Sequence, residues 1–250
     1  VKRKWPYPRI FAHRGGGSLA PENTLSAIRL GQTLGFKGHE FDVKLSKDGV
    51  AILLHDETVE RTTTGAGRAA DLTWSELLKL DAGGWHSPLF RGERVPSFEE
   101  VAQQLRSKGT HANVEIKPSA GRERETGEKV AQQARALWIG EEVAPLLSSF
   151  SFEAMMAAKQ AAPELPRGWL VKQFGEADWE RLAALEAASL HTDHTKFDLA
   201  RLPELHDKGY RVMLYTVNDP EVAKRLLAAG VDGIFTDNLK EFATRFPAMV

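Results

Sequence analysis

The run Tyr210-Arg211-Val212-Met213-Leu214-Tyr215-Thr216-Val217, with residues 221–229, Gly230 and Asp232-Gly233-Ile234-Phe235-Thr236 behind it, decides the fold. The first and last pieces are short apolar runs of strand length, and residues 221–229 carry an amphipathic helical pattern. Gly230 is a natural stop for that helix. Working outward, the same alternation recurs. Strands are predicted near residues 10–13, 38–42, 112–117, 146–150, 168–171 and 189–192. Helical patterns lie at 24–34, 98–106, 123–138, 153–161 and 179–188. The helix at Thr24 has a plausible start in Pro21-Glu22-Asn23, by a first-turn proline or a capping Asn according to register. Eight strands alternating with helices over 250 residues predict an α/β fold, a TIM (β/α)8 barrel.

One stretch breaks the rhythm. No long amphipathic helix follows Asp42; instead Lys47-Asp48-Gly49 reads as a tight turn joining 43–46 to 50–54 in a hairpin. A hairpin carries the chain back to where it left the barrel, so His55 is expected close to Asp42. Residues 61–96, rich in Gly and Thr, then read as an inserted lobe over the barrel mouth. The expectation is a single barrel domain over 1–250 with a hairpin and lobe inserted at about 43–96, and no internal repeat or linker.

Composition removes several classes of function. Lys+Arg 33 against Asp+Glu 34 gives a net charge of −1, so there is no general attraction to nucleic acid or anionic membrane. Zero Cys excludes disulfides, thiolate zinc sites, iron–sulfur clusters and a cysteine nucleophile. The opening Val1-Lys2-Arg3-Lys4 is basic but has no apolar stretch behind it, unlike a secretory signal. Nor does any run approach the roughly 18 apolar residues of a membrane helix. A cytoplasmic location is expected.

Residues two apart on a strand share a face. Glu40 and Asp42 have that spacing, as do Glu115 and Lys117, each pair toward the C-terminal end of a strand, where barrels build their active sites. Three carboxylates sharing a small volume need a counter-charge or must protonate. A divalent cation resolves the conflict, and an all-oxygen set favours Mg²⁺ or Ca²⁺ over zinc. Salt bridges to Lys or Arg would explain either pair alone; two pairs on separate strands favour the metal. His13 ends the first strand and His55-Asp56 closes the hairpin. Both imidazoles fall at one mouth of the barrel, as an acid and a base near neutral pH. Asp56 is either the partner that orients an imidazole or a turn residue. Arg14 and Lys117 are the anion binders of this set. His191-Thr192-Asp193-His194 reads as a polar strand-end loop rather than a ligand cluster.

Gly15-Gly16-Gly17-Ser18-Leu19-Ala20 also fits the dinucleotide fingerprint, with Glu40 at the expected distance. Pro21 argues against it, because the helix then starts after the motif instead of inside it. A dinucleotide-dependent oxidoreductase and a non-catalytic phosphodiester-binding barrel are the competing readings.

Taken together, the residues resemble the glycerophosphodiester phosphodiesterase family. The matching segments are Ala12-His13-Arg14-Gly15, Pro21-Glu22-Asn23-Thr24, Glu40-Phe41-Asp42-Val43, Lys47-Asp48-Gly49, His55-Asp56, Arg61-Thr62-Thr63, Glu115-Ile116-Lys117-Pro118, Tyr215-Thr216-Val217-Asn218 and Gly233-Ile234-Phe235-Thr236-Asp237. They run in family order over nearly the whole chain. Trp5-Pro6-Tyr7-Pro8-Arg9-Ile10 and the Gly15-Gly16-Gly17 run are most similar to the cytosolic bacterial enzymes associated with glycerol-3-phosphate uptake. The resemblance implies a barrel of the phospholipase-C-like phosphodiesterase type. It also implies hydrolysis of deacylated phospholipids, such as glycerophosphocholine and glycerophosphoethanolamine, to sn-glycerol 3-phosphate and an alcohol. It gives His13 and His55 the acid and base roles, Glu40, Asp42 and Glu115 the metal, and Arg14 and Lys117 the phosphate. A route through a cyclic phosphate, formed by the substrate's own 2-hydroxyl, is suggested by the family alone. Tyr215 departs from the family pattern, where many members carry Trp.

Overall fold

The computed structural model of the chain describes residues 5–250; the basic opening at 1–4 lies outside the described residues. The strands are β1 (Ile10–Ala12), β2 (Gly38–Leu45), β3 (Ala51–Leu53), β4 (His111–Ile116), β5 (Leu146–Ser149), β6 (Arg167–Val171), β7 (Ser189–Asp193), β8 (Arg211–Tyr215) and β9 (Gly233–Thr236). The α-helices between and after them are α1 (Leu25–Thr33), α2 (Trp74–Leu77), α3 (Phe98–Ser107), α4 (Glu123–Leu137), α5 (Phe152–Ala161), α6 (Ala177–Leu185), α7 (Leu202–Asp207), α8 (Pro220–Ala228) and α9 (Leu239–Arg245). Hydrogen bonding runs β1-β9-β8-β7-β6-β5-β4-β2 and returns from β2 to β1, all parallel, while β3 pairs antiparallel on β2. The sheet is therefore closed: a TIM barrel, as the alternation predicts.

Local chemistry explains the helix boundaries. In α3, Ser97 and Glu100 form a reciprocal capping box, and Phe98, Val101, Ala102 and Leu105 make one buried stripe against the sheet. Burying a large side chain of that kind contributes roughly 1.5–3 kcal/mol. In α8, Asp219 caps the start and Pro220 opens the first turn. Its end is closed by Gly230, with φ of 102°, whose N–H donates to Leu227 O while Val231 N–H donates to Leu226 O. The predicted stop at Gly230 holds.

The start of α1 is different from the expectation. Thr24, not Asn23 or Pro21, caps it, its Oγ1 accepting from Ala27 N. Asn23 instead adopts a left-handed φ of 58° and turns its amide toward β2. The first arm of the expected hairpin continues β2 without a break as far as Leu45. α7 and α9 lie where no helix is predicted; at 6 and 7 residues they show too little of the helical period.

The hairpin forms with Val43 opposite Leu53 and Leu45 opposite Ala51, and Leu54 N–H donates to Asp42 O at 3.1 Å. His55 thus returns beside Asp42. The lobe that follows has its own small apolar cluster of Ile52, Leu54, Val59, Ala69, Leu77, Ala82 and Val95. The barrel interior below the mouth is plugged by Phe11, Leu146, Met213 and Phe235, with Tyr7 beneath. Gly168 is required by this crowding, since a Cβ there would lie 2.4 Å from His191 Nε2. Among the described residues no helix is long and apolar enough to cross a membrane.

Candidate active site

The parallel register sets Asp42 of β2 beside Glu115 of β4, and alternation brings Glu40 to the same face. One oxygen from each of Glu40, Asp42 and Glu115 lies within 4.8 Å of the others, and all three side chains are buried. Lys117 Nζ sits 2.7 Å from Glu115 Oε1 and 3.6 Å from Asp42 Oδ1. Asn23 grips Asp42 twice: its Nδ2 donates to Oδ2 at 2.9 Å, and its Oδ1 accepts from Asp42 N at 3.0 Å. Burial works against ionisation of Asp42, but Lys117, His55, Arg14 and the Asn23 hydrogen bond outweigh it and hold the pKa below its ordinary value. Glu40 goes the other way, pushed up to about 8 by burial and by the charge of Asp42. Burial and Asp42 also raise Glu115, against the pull of Lys117. Glu40 Oε1 is buried with no hydrogen-bond partner. An unanswered carboxylate oxygen in an all-oxygen cluster fits a hard divalent cation.

The imidazoles flank this cluster. His13 follows β1 and meets Asp237, the residue after β9, because the barrel closes there: Nδ1 to Oδ1 is 2.7 Å. Its Nε2 lies 3.8 Å from Glu40 Oε2. His55 Nδ1 lies 2.7 Å from Asp56 Oδ1, so Asp56 orients the ring. Ionised carboxylates only accept, so each neutral imidazole carries its proton on Nδ1 and leaves Nε2 for proton exchange. The two environments differ in sign. Burial lowers the pKa of His13, yet the Asp237 hydrogen bond and the charge of Glu40 outweigh it, and the net shift is upward. For His55 burial wins over the attraction of Asp42, with Lys117 adding to it, and the net shift is downward.

Arg14 adopts a left-handed φ of 49°, which aims its N–H at Glu40 Oε2, 2.9 Å away. Its Nη1 donates to Glu22 Oε1 at 2.8 Å. From the inserted lobe, Arg61 reaches the same Glu22 through two nitrogens at 2.8 Å and Asp56 through Nε at 2.5 Å. A continuous chain of hydrogen bonds therefore runs from His55 through Asp56, Arg61 and Glu22 to Arg14. Arg61 is part-exposed, so the chain's value lies more in geometry than in stability.

All seven residues singled out in the sequence (His13, Arg14, Glu40, Asp42, His55, Glu115 and Lys117) line one cavity of about 470 Å³ at the barrel mouth. Phe150, Leu170, Tyr215 and Phe235 form its apolar wall, and Tyr215 is tethered by its hydroxyl to Val171 O at 2.6 Å. Asp237, Asn23, Glu22 and Lys172 also belong to this neighbourhood; the sequence reading gives Asn23 only a possible helix-capping role and the other three none. Asp237 could have been found from barrel closure, which puts the end of the last strand beside the end of the first. His191 and Thr192 stand buried inside β7 rather than in a loop, and His191 bonds Ser189 Oγ at 2.8 Å. The glycine run forms a single 3-10 turn at Gly17–Leu19, and α1 begins only at Leu25. No α-helix starts inside residues 15–20, so the dinucleotide reading falls.

A parallel barrel with paired imidazoles beside a carboxylate cluster defines a phosphodiesterase-type site, and comparison with known proteins makes the class specific. The sequence profile of the Glycerophosphoryl diester phosphodiesterase family matches residues 13–241. A glycerophosphodiester phosphodiesterase of Caldanaerobacter subterraneus subsp. tengcongensis is 36% identical over 233 residues, covering 92% of this chain and 93% of the relative. One from Bacillus subtilis is 30% identical over 246 residues, covering 90% of this chain and 82% of its own. Among solved structures, an Oleispira antarctica phosphodiesterase in complex with the product sn-glycerol-3-phosphate superposes with a TM-score of 0.88 at 34% identity, covering 95% and 96% of the two chains. The chain belongs to the glycerophosphoryl diester phosphodiesterase family. Its activity is that of a glycerophosphodiester phosphodiesterase.

Proposed function

We propose that the protein carries out metal-dependent hydrolysis of glycerophosphodiesters, such as glycerophosphocholine and glycerophosphoethanolamine, to sn-glycerol 3-phosphate and the free alcohol. The observation that carries this reading is the meeting of two carboxylate-held imidazoles and three carboxylates within 4.8 Å of one another in a single cavity. Glu40, Asp42 and Glu115 would hold a Mg²⁺ or Ca²⁺ ion, which would supply Lewis-acid stabilisation to the phosphate oxygens. Arg14 and Lys117 add charge to the same oxygens as the transition state forms. One imidazole takes the proton of the attacking oxygen, the substrate's 2-hydroxyl or water, as the new P–O bond forms. The other gives its proton to the alcohol oxygen as the old P–O bond breaks. The glycerol phosphate half lies in the enclosed 470 Å³ cavity, against Tyr215 and Phe150.

In this reading residues 1–250 act as one catalytic barrel, with the insertion at about 43–96 supplying His55, Asp56 and Arg61. A cytoplasmic setting follows the subgroup that the opening segment resembles. A barrel that merely binds a phosphodiester would need neither an acid nor a base, which disfavours that alternative. The test is metal-stripped protein with glycerophosphocholine and an assay for sn-glycerol 3-phosphate. Release on adding Mg²⁺ or Ca²⁺ and arrest by chelator are expected. Chelator-resistant release would remove the metal from the scheme, and binding without turnover under any divalent ion would favour the binding barrel.

A further inference from the structure

A second cavity, of about 680 Å³, adjoins the first and shares His13 and Arg14 with it. Its other walls come from three sources: the loop after β1, with Glu22; Trp85 and His86 of the inserted lobe; and Asn218, Asp237 and Asn238 after β8 and β9. It is the wider-mouthed of the two. We propose that this cavity is the subsite for the leaving alcohol and that it selects a cationic amino-alcohol headgroup, with Trp85 as its aromatic face. The proposal rests on the glycerophosphodiester reading above and extends it to the variable end of the substrate.

Three features carry it. First, a diester whose phosphate lies among His13, Arg14 and the carboxylates has one ester arm in each cavity. The arm common to all substrates fits the enclosed cavity, and the variable arm fits the open one. Second, Trp85 is large, 42% exposed, and held in place. Its Nε1 donates to Ala82 O at 2.9 Å, so what it has left to offer a ligand is ring surface. His86 packs edge-on against Trp85 at 5.6 Å and against Phe90 at 5.5 Å, and its Nε2 lies 3.1 Å from Ser18 O. A carbonyl only accepts, so that nitrogen is the donor and the lobe is pinned to the loop after β1.

Third, the charges of the wall are already matched on the cationic side. Arg14 is answered by Glu22 and His13 by Asp237, whereas Asp237 Oδ2 receives just a 3.3 Å contact from Asn218. The cavity therefore presents an aromatic face and one weakly engaged carboxylate oxygen, Asp237 Oδ2. An ammonium or quaternary ammonium group complements the ring face and the carboxylate charge, while a neutral polyol can only hydrogen-bond to the carboxylate.

The experiment compares wild type, Trp85→Leu and Trp85→Phe on glycerophosphocholine and on glycerophosphoglycerol, whose headgroup is neutral. Leu keeps apolar bulk in the lobe but removes the π face; Phe retains a face. Trp85→Leu is expected to lower kcat/KM for glycerophosphocholine roughly 3- to 30-fold, chiefly through KM, the range of a cation–π contact. The same variant should leave glycerophosphoglycerol within about twofold, and Trp85→Phe should keep most of the preference. Tetramethylammonium should inhibit wild type competitively and Trp85→Leu more weakly by a similar factor. Equal losses on both substrates would overturn the assignment, because glycerol is the part they share on the other arm. Identical behaviour of the Leu and Phe variants would overturn it as well. A wild type that hydrolyses neither substrate would sink the functional reading itself, whereas turnover of both with no effect at Trp85 sinks the subsite alone.

Discussion

His13 and His55 are built alike and tuned apart. Each imidazole hands Nδ1 to an aspartate at 2.7 Å, yet burial lowers the pKa of one, while its carboxylate neighbours raise that of the other. Groups of the same chemistry with opposite shifts are what paired acid–base work requires. Replacing either ring by alanine is expected to cut turnover by roughly 10²-fold or more. Asp237→Asn keeps the shape but gives the ring a partner that can also donate, so kcat should fall at least about tenfold with a smaller change in KM. Unchanged kcat in Asp237→Asn would show that the aspartate is a bystander. That seven side chains would gather at one mouth was legible because strand alternation and strand-end position depend only on nearby residues. Asp237 was quoted in a motif but given no task, since its partner lies 224 positions away. Asn23 was misread for a related reason: as a helix cap it would act on its own neighbours, whereas it serves Asp42 on another element.

At the scale of elements, the hairpin after β2 does the positioning that a helix does elsewhere in the barrel. Gly49 turns it with φ of 79°, and Ser46 N–H donating to Val50 O at 2.9 Å closes the loop. Gly49→Ala forces an L side chain into the left-handed region at a cost of about 1–2 kcal/mol. For a chain of this length that lowers Tm by roughly 2–8 °C, which a thermal melt reads directly. A melt identical to wild type would mean that the turn tolerates another conformation. Lys47-Asp48-Gly49 made this hairpin readable in advance, and eight alternations made the barrel readable. The short α7 and α9 escaped notice because about two turns of helix leave no clear periodicity, and packing on the barrel rather than propensity stabilises them.

The whole molecule sets its own acid limit. His39 and His191 are fully buried, and burial depresses their pKa values to about 4 and about 3 from the ordinary 6.5. An unfolded chain takes up protons at both positions below about pH 6.5, and the folded chain refuses them until the lower values. Their contribution to stability is therefore full above about pH 6.5 and drains away as the pH falls toward 4, at about 1.4 kcal/mol per pH unit for each ring. Urea midpoints should fall between pH 7 and pH 5, and His191→Gln should flatten the slope; parallel slopes would refute the assignment. Barrel closure has a temporal meaning as well. β1 bonds to β2 and to β9, so residues 10–12 wait for residues 234–236 before the ring exists. During synthesis the nascent chain holds His13 without Asp237, and the dyad cannot assemble until the last strand has left the ribosome. Pairing across so long a loop is entropically slow. Under the proposed acid–base scheme, catalytic competence therefore cannot precede closure of the ring.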